Sequence, residues 1–153
     1  MNDPNWAEVA IAIATIVLAL TGIFALSGWR SARKSQRTDE CVSAGHALAG
    51  AIGRCMSLKR APPKANWNPE QDVGRAYDLV WSSWRRFDEA FSAVRRYYRE
   101  KKLPPGIPED IKRKLYEFED ILQVPWAEES ASGEQARKIA KDIDDLLRPL
   151  RQL

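Results

Sequence analysis

The chain has 153 residues, 24 basic and 21 acidic side chains, a formal net charge of +3, two cysteines and one histidine. A length of this kind leaves room for one small domain, and helices are the economical way to build so modest a core. The basic excess is uneven: residues 1–69 hold eight basic and four acidic side chains, 70–102 eight and six, and 103–153 eight and eleven. An acidic carboxyl-terminal third argues against a protein built throughout to hold nucleic acid, so nucleic acid is not an expected partner.

Residues 1–5 form a short tail containing Asp3 and no Lys or Arg. From Val9 to Leu26 there follow eighteen residues without a charge, with Thr15 and Thr21 as the only polar side chains. As an α-helix this run covers about 27 Å, close to the hydrocarbon thickness of a bilayer. Trp6 and Trp29 flank it, the residue type that favours the two membrane–water interfaces. The stretch 6–29 is therefore expected to be one transmembrane helix. A cleaved signal peptide fits poorly, because no basic segment precedes the apolar run. A buried helix of a soluble domain fits poorly too, because the run has no polar face.

After the span, Arg30, Arg33, Lys34 and Arg37 make residues 30–37 a basic juxtamembrane segment. Four basic residues on one side and none on the other set the orientation: amino terminus outside, residues 38–153 in the cytoplasm, with the inner (plasma) membrane as the location. The lipid bilayer is thus the first expected partner.

In residues 38–60, Cys41, Gly45, Leu48, Ile52 and Cys55 follow the four-three spacing of a helix seam. Gly45, Ala49 and Gly53 recur every four residues, which predicts close packing beneath bulky aromatics. The two cysteines would lie about 21 Å apart on one helix, too far for a disulfide. The span is expected to run into this helix with at most a local break, since no proline intervenes from Gly28 to Arg60. Ala61-Pro62-Pro63 then ends it, and Asn68 and Pro69 suit the start of the next.

Residues 70–101 carry Val73, Tyr77, Val80, Trp84, Phe87, Phe91, Val94 and Tyr98 at steps of four and three, a heptad stripe like that of a coiled coil. Five of the eight are aromatic, bulk that a multi-helix bundle accommodates better than a two-stranded coil. This helix and 38–60 are expected to pack antiparallel. Pro108, Glu109 and Asp110 open a third helix through Gln123, with Ile111, Leu115, Phe118 and Leu122 inward. Ser132 is the expected cap of a last helix whose apolar face is Ala136, Ile139, Ile143, Leu146 and Leu150, frayed at Pro149. No segment alternates like a strand. The expected fold is all-α: an amino-terminal transmembrane helix and a cytoplasmic antiparallel bundle of about four helices.

Catalytic signals are missing. His46 stands beside the seam without a nucleophile, and its spacing from Cys41 and Cys55 suits no zinc site. There is no phosphate loop, no HExxH and no calcium loop. No catalytic residue, metal or cofactor is assigned. The acidic runs Glu117-Glu119-Asp120 and Asp142-Asp144-Asp145 read as solvated faces. Arg85, Arg96 and Arg99 lie beside the aromatic seam with Trp81 and Tyr97, and these five are the candidate partner-binding residues. Asp88 and Glu89 are expected to pair with Arg85 and Arg86 at helical spacing. Trp67 and Trp126, in proline-containing loops, read as lids over the bundle ends.

These features suggest a single-pass, membrane-anchored interaction or scaffold protein, not an enzyme, that recruits or regulates a protein partner at the cytoplasmic face. The alternative is a homo-oligomeric membrane effector, pore-forming or toxin-like, self-associating through the small face of Thr15, Ala19 and Gly22.

Overall fold

A computed structural model describes residues 6–60, 69–98, 102–124 and 130–153, and for 6–10 and 69–70 the backbone alone. The side chain of Trp6, all of Trp67, Trp126 and Arg99, the Asn68 cap and the 1–5 tail lie outside the described residues. Those described form four α-helices and no strand: α1 (Trp6–Arg60), α2 (Pro69–Arg95), α3 (Ile107–Leu122) and α4 (Ala131–Leu147), followed by a 3-10 turn at Arg148–Gln152. They fall into two compact units, Met1–Gln36 and Arg37–Leu153.

In the first unit, α1 presents hydrocarbon on every side. Residues 11–30 are all exposed, and the window of highest mean hydropathy reaches 2.3 with none of it buried. Leu18 and Phe24 are 72% and 73% exposed. The two threonines add no polarity to this surface. Thr15 donates to the Ile11 carbonyl and Thr21 to the Val17 carbonyl, each at 2.8 Å. By length and composition this helix could span a membrane.

The second unit is an up-down-up-down bundle made of residues 37–60 of α1 with α2, α3 and α4. Three contacts fix the directions. Thr38 and the Tyr98 hydroxyl, 3.0 Å apart, join the start of this stretch of α1 to the residues just after α2. Tyr77, near the start of α2, donates to the Leu115 carbonyl in the second half of α3 at 3.0 Å. Gly45, in the first half of the stretch, lies under Leu147 and Leu150, at and beyond the end of α4.

The core is built from the seams. Cys41, Leu48, Ile52 and Cys55 of α1 face inward, as do Val80, Phe87, Phe91 and Val94 of α2. From α3 come Ile111, Leu115, Phe118 and Leu122, and from α4 Ala136, Ile139, Ile143 and Leu147. The remaining positions of the heptad stripe, Val73, Tyr77 and Trp84 of α2 and Tyr98 just after it, are half-buried. A seam of alternating four and three steps keeps one side of a helix toward its neighbours, because seven residues nearly complete two turns.

Four details differ from expectation. The heptad helix ends at Arg95, not 101. There Tyr97 N–H donates to Val94 and Tyr98 N–H to Arg95, bonds of a tighter turn that still leave the Tyr98 hydroxyl at Thr38. The small-residue strip does not stay in contact, because a four-residue step advances about 40° around the axis. A Cβ added at Gly45 would meet Phe87 at 3.8 Å, whereas one at Gly53 would meet nothing within 4 Å. Ser130, not Ser132, caps α4, accepting from the Gly133 N–H at 3.1 Å. Starting there puts Gly133 and Ala136 on the buried side. Finally, α3 begins at Ile107, one residue ahead of Pro108, so the proline sits in the first turn where its missing N–H costs nothing.

Candidate interaction surface

On α2, Tyr77, Trp81 and Trp84 follow helical spacing of four and three, so their rings meet along one side. Trp81 stands edge-on to Tyr77 (centroids 6.2 Å apart, planes at 89°) and to Trp84 (5.6 Å, 80°). Tyr116 of α3 closes on Trp81 at 5.1 Å. Lys112, one helical turn before Tyr116, holds its ammonium 5.4 Å from the centre of the Trp84 ring, an attraction between a cation and the negative face of the indole. Tyr77 anchors the inner edge: it packs on Phe118 and its hydroxyl reaches both the Leu115 carbonyl and, at 3.2 Å, a Glu119 carboxylate oxygen. Burial, with the Glu119 charge beside it, raises the Tyr77 pKa well above the ordinary tyrosine value, so the hydroxyl remains a donor.

This cluster is only partly enclosed. Trp81 and Trp84 are half-buried, and Tyr116 is 52% exposed. The Trp84 indole N–H is buried without a hydrogen-bond partner among the described residues. Large rings held rigidly by neighbours and open to water on one side lose little freedom when something covers them.

Of the five residues proposed from sequence, the four described are spread along α2 and the turn after it. Trp81 lies in the cluster and Arg85 is exposed one turn further along α2. Arg96 and Tyr97 are exposed in the turn after the helix, roughly 22 Å beyond Trp81 by helical rise. Arg99 lies outside the described residues. Tyr116 as a partner of Trp81, and Lys112 as a partner of Trp84, were not legible. An aromatic residue on the otherwise charged side of α3 was the available signal.

The charges around the cluster are arranged differently from expectation. Among the described residues, neither Asp88 nor Glu89 comes within ion-pair distance of Arg85 or Arg86. Asp88 instead turns toward α3, where burial first, and then the charges of Glu109 and Glu89, raise its carboxyl pKa against the opposing effect of Lys112. Between α3 and α4, Lys114 links the two acidic runs, bonding Glu117 at 2.8 Å and Asp142 at 3.3 Å in a shallow groove of about 370 Å³. Asp144 pairs with Arg151 and Asp145 with Arg148. Among the described residues no group of three or more metal-ligating side chains converges.

The thiols are sealed in the core. Burial pushes Cys41 up to about 12 and Cys55 to about 11, the latter against the nearby Lys59 charge, so both are protonated at neutral pH. His46 is exposed on α1.

At the end of the apolar run, Trp29 is 58% exposed and the Arg33 guanidinium lies 5.0 Å from its ring centre. Arg30 and Arg33 are exposed and Lys34 is half-buried. Arg37 pairs with Glu40 at 2.8 Å.

Comparison of the chain with protein families, with curated proteins and with solved structures gives no match.

Proposed function

We propose that this chain is a single-pass protein of the inner (plasma) membrane whose cytoplasmic bundle recruits a protein partner, without chemistry of its own. The carrying observation is the ring cluster of Tyr77, Trp81, Trp84 and Tyr116, which lies across two helices yet leaves its outer edge uncovered. Trp and Tyr held in place this way are the residue types that dominate protein–protein recognition. The positive charges after the span support an amino terminus outside and the bundle inside. The oligomeric effector has less support, since both hydroxyls of the apolar run are bonded to their own helix.

The test is co-purification of the full chain from membranes in mild detergent. A protein retained by the natural sequence and lost with both Trp81→Ala and Tyr116→Ala is the expected result. Recovery of lipid and this chain alone overturns the recruiting role. Orientation is tested separately by a carboxyl-terminal reporter active only in the cytosol.

A further inference from the structure

We infer that the helix surface formed by Trp29, Arg30 and Arg33 is a one-sided docking site for the headgroup of an anionic phospholipid. The inference rests on the reading of α1 as a membrane span. Arg30 and Arg33 stand at i and i+3, so their Cα–Cβ bonds fall within an arc of about 60° and leave the opposite side of the helix to Ala32 and Ser35. No acidic residue occurs between Glu8 and Asp39 to neutralise this arc from within the same stretch.

Depth and direction agree with the angular position. Measured along the helix, Arg30 lies about 6 Å and Arg33 about 10 Å beyond Leu26, the last residue of the uncharged run. The headgroup layer is about 5–8 Å thick on each side of the hydrocarbon. Side chains on an α-helix lean toward its amino end, so these long basic groups lean back toward the apolar run and bring their charges to phosphate level. Trp29 marks that level with an exposed indole, and its ring holds the Arg33 guanidinium at 5.0 Å without cancelling its charge. An arginine fixed in this way presents several N–H donors to a phosphate diester. The occupant is a lipid, not a free phosphate, because the site is continuous with an apolar surface of which none is buried.

The probe is an equimolar mixture of phosphatidylglycerol and phosphatidylcholine, added to the full chain in mild detergent and read by native mass spectrometry. The natural sequence should retain phosphatidylglycerol over phosphatidylcholine by about fivefold or more, the equivalent of one well-placed basic residue. The neutral variant R30Q/R33Q should lose the preference. So should A32R/R33A, which keeps the net charge but moves one cation to the far side of the helix. No preference in the natural sequence, or full preference in A32R/R33A, overturns the site. Flotation with pure phosphatidylcholine vesicles keeps the two readings apart. A chain that floats but shows no headgroup preference sinks only the docking site, whereas a chain that stays in the aqueous fraction sinks the span as well.

Discussion

The ammonium of Lys59 donates a hydrogen bond to the main-chain carbonyl of Leu122 at 2.8 Å, so the end of α1 closes the carboxyl end of α3. The last turn of α3 contains no basic residue of its own. A positive charge borrowed from a neighbouring helix satisfies one of the orphan carbonyls and opposes the negative end of the helix dipole. Lys59→Met keeps the aliphatic stem and removes both effects, and should lower stability by about 1 kcal/mol. Chemical denaturation of the full chain in detergent checks this, and Lys59→Arg, which keeps the charge and the donors, should avoid most of the loss.

Glycines that look alike in sequence should respond in opposite ways. At Gly53 an added Cβ meets nothing within 4 Å, so Gly53→Ala should stabilise the helix by about 1 kcal/mol. At Gly45 the new atom would already sit 3.4 Å from Leu150 and 3.5 Å from Leu147. Alanine just fits there, but Gly45→Leu should cost about 1–3 kcal/mol through overcrowding. Thermal unfolding of the three variants distinguishes the two positions.

Asp88 should make the bundle less stable as pH rises. Its carboxyl is held above the ordinary value in the folded chain, so the folded state binds the proton more tightly than the unfolded one. That preference is fully present below the unfolded pKa and fades as pH rises through the folded one. Asp88→Asn should therefore raise stability at pH 7 and change it little below about pH 4. Denaturation midpoints at the two pH values give the comparison.

Cys41 and Cys55 should be inert toward a water-soluble maleimide at pH 8 until the bundle is unfolded, whereupon both should label. With pKa values pushed up to about 12 and about 11, the folded state favours the protonated thiols. Their contribution is present up to about pH 9, the ordinary thiol range, and is lost progressively above it. Labelling counted by mass, before and after denaturant, is the measurement.

Much of the fold was legible because it rests on periodicity. The steps of four and three at Val80, Phe87, Phe91 and Val94 specify a buried side whatever lies opposite, and the four are buried as that spacing requires. Helix ends were less legible. Ser130 and Ser132 are equally good caps as residues, and the choice between them is made by Gly133 and Ala136 facing the core. The ring cluster was harder still. Trp81 and Tyr116 are 35 positions apart, and only the packing of α2 on α3 brings their centroids to 5.1 Å. Charges were misread for the same reason: helical spacing offers Asp88 to Arg85, but tertiary packing turns it toward Lys112 and Glu109.

Leu150 is 2% exposed and touches the bare backbone position of Gly45. The 3-10 turn that carries it is thus a plug, seated where the first bundle segment has no side chain of its own. A protease nicking after Leu147 would withdraw that plug and flood the cleft with water. Truncations meant to trim an apparently dispensable end should consequently stop short of Arg148, and loss of the last six residues should be as damaging as a core mutation.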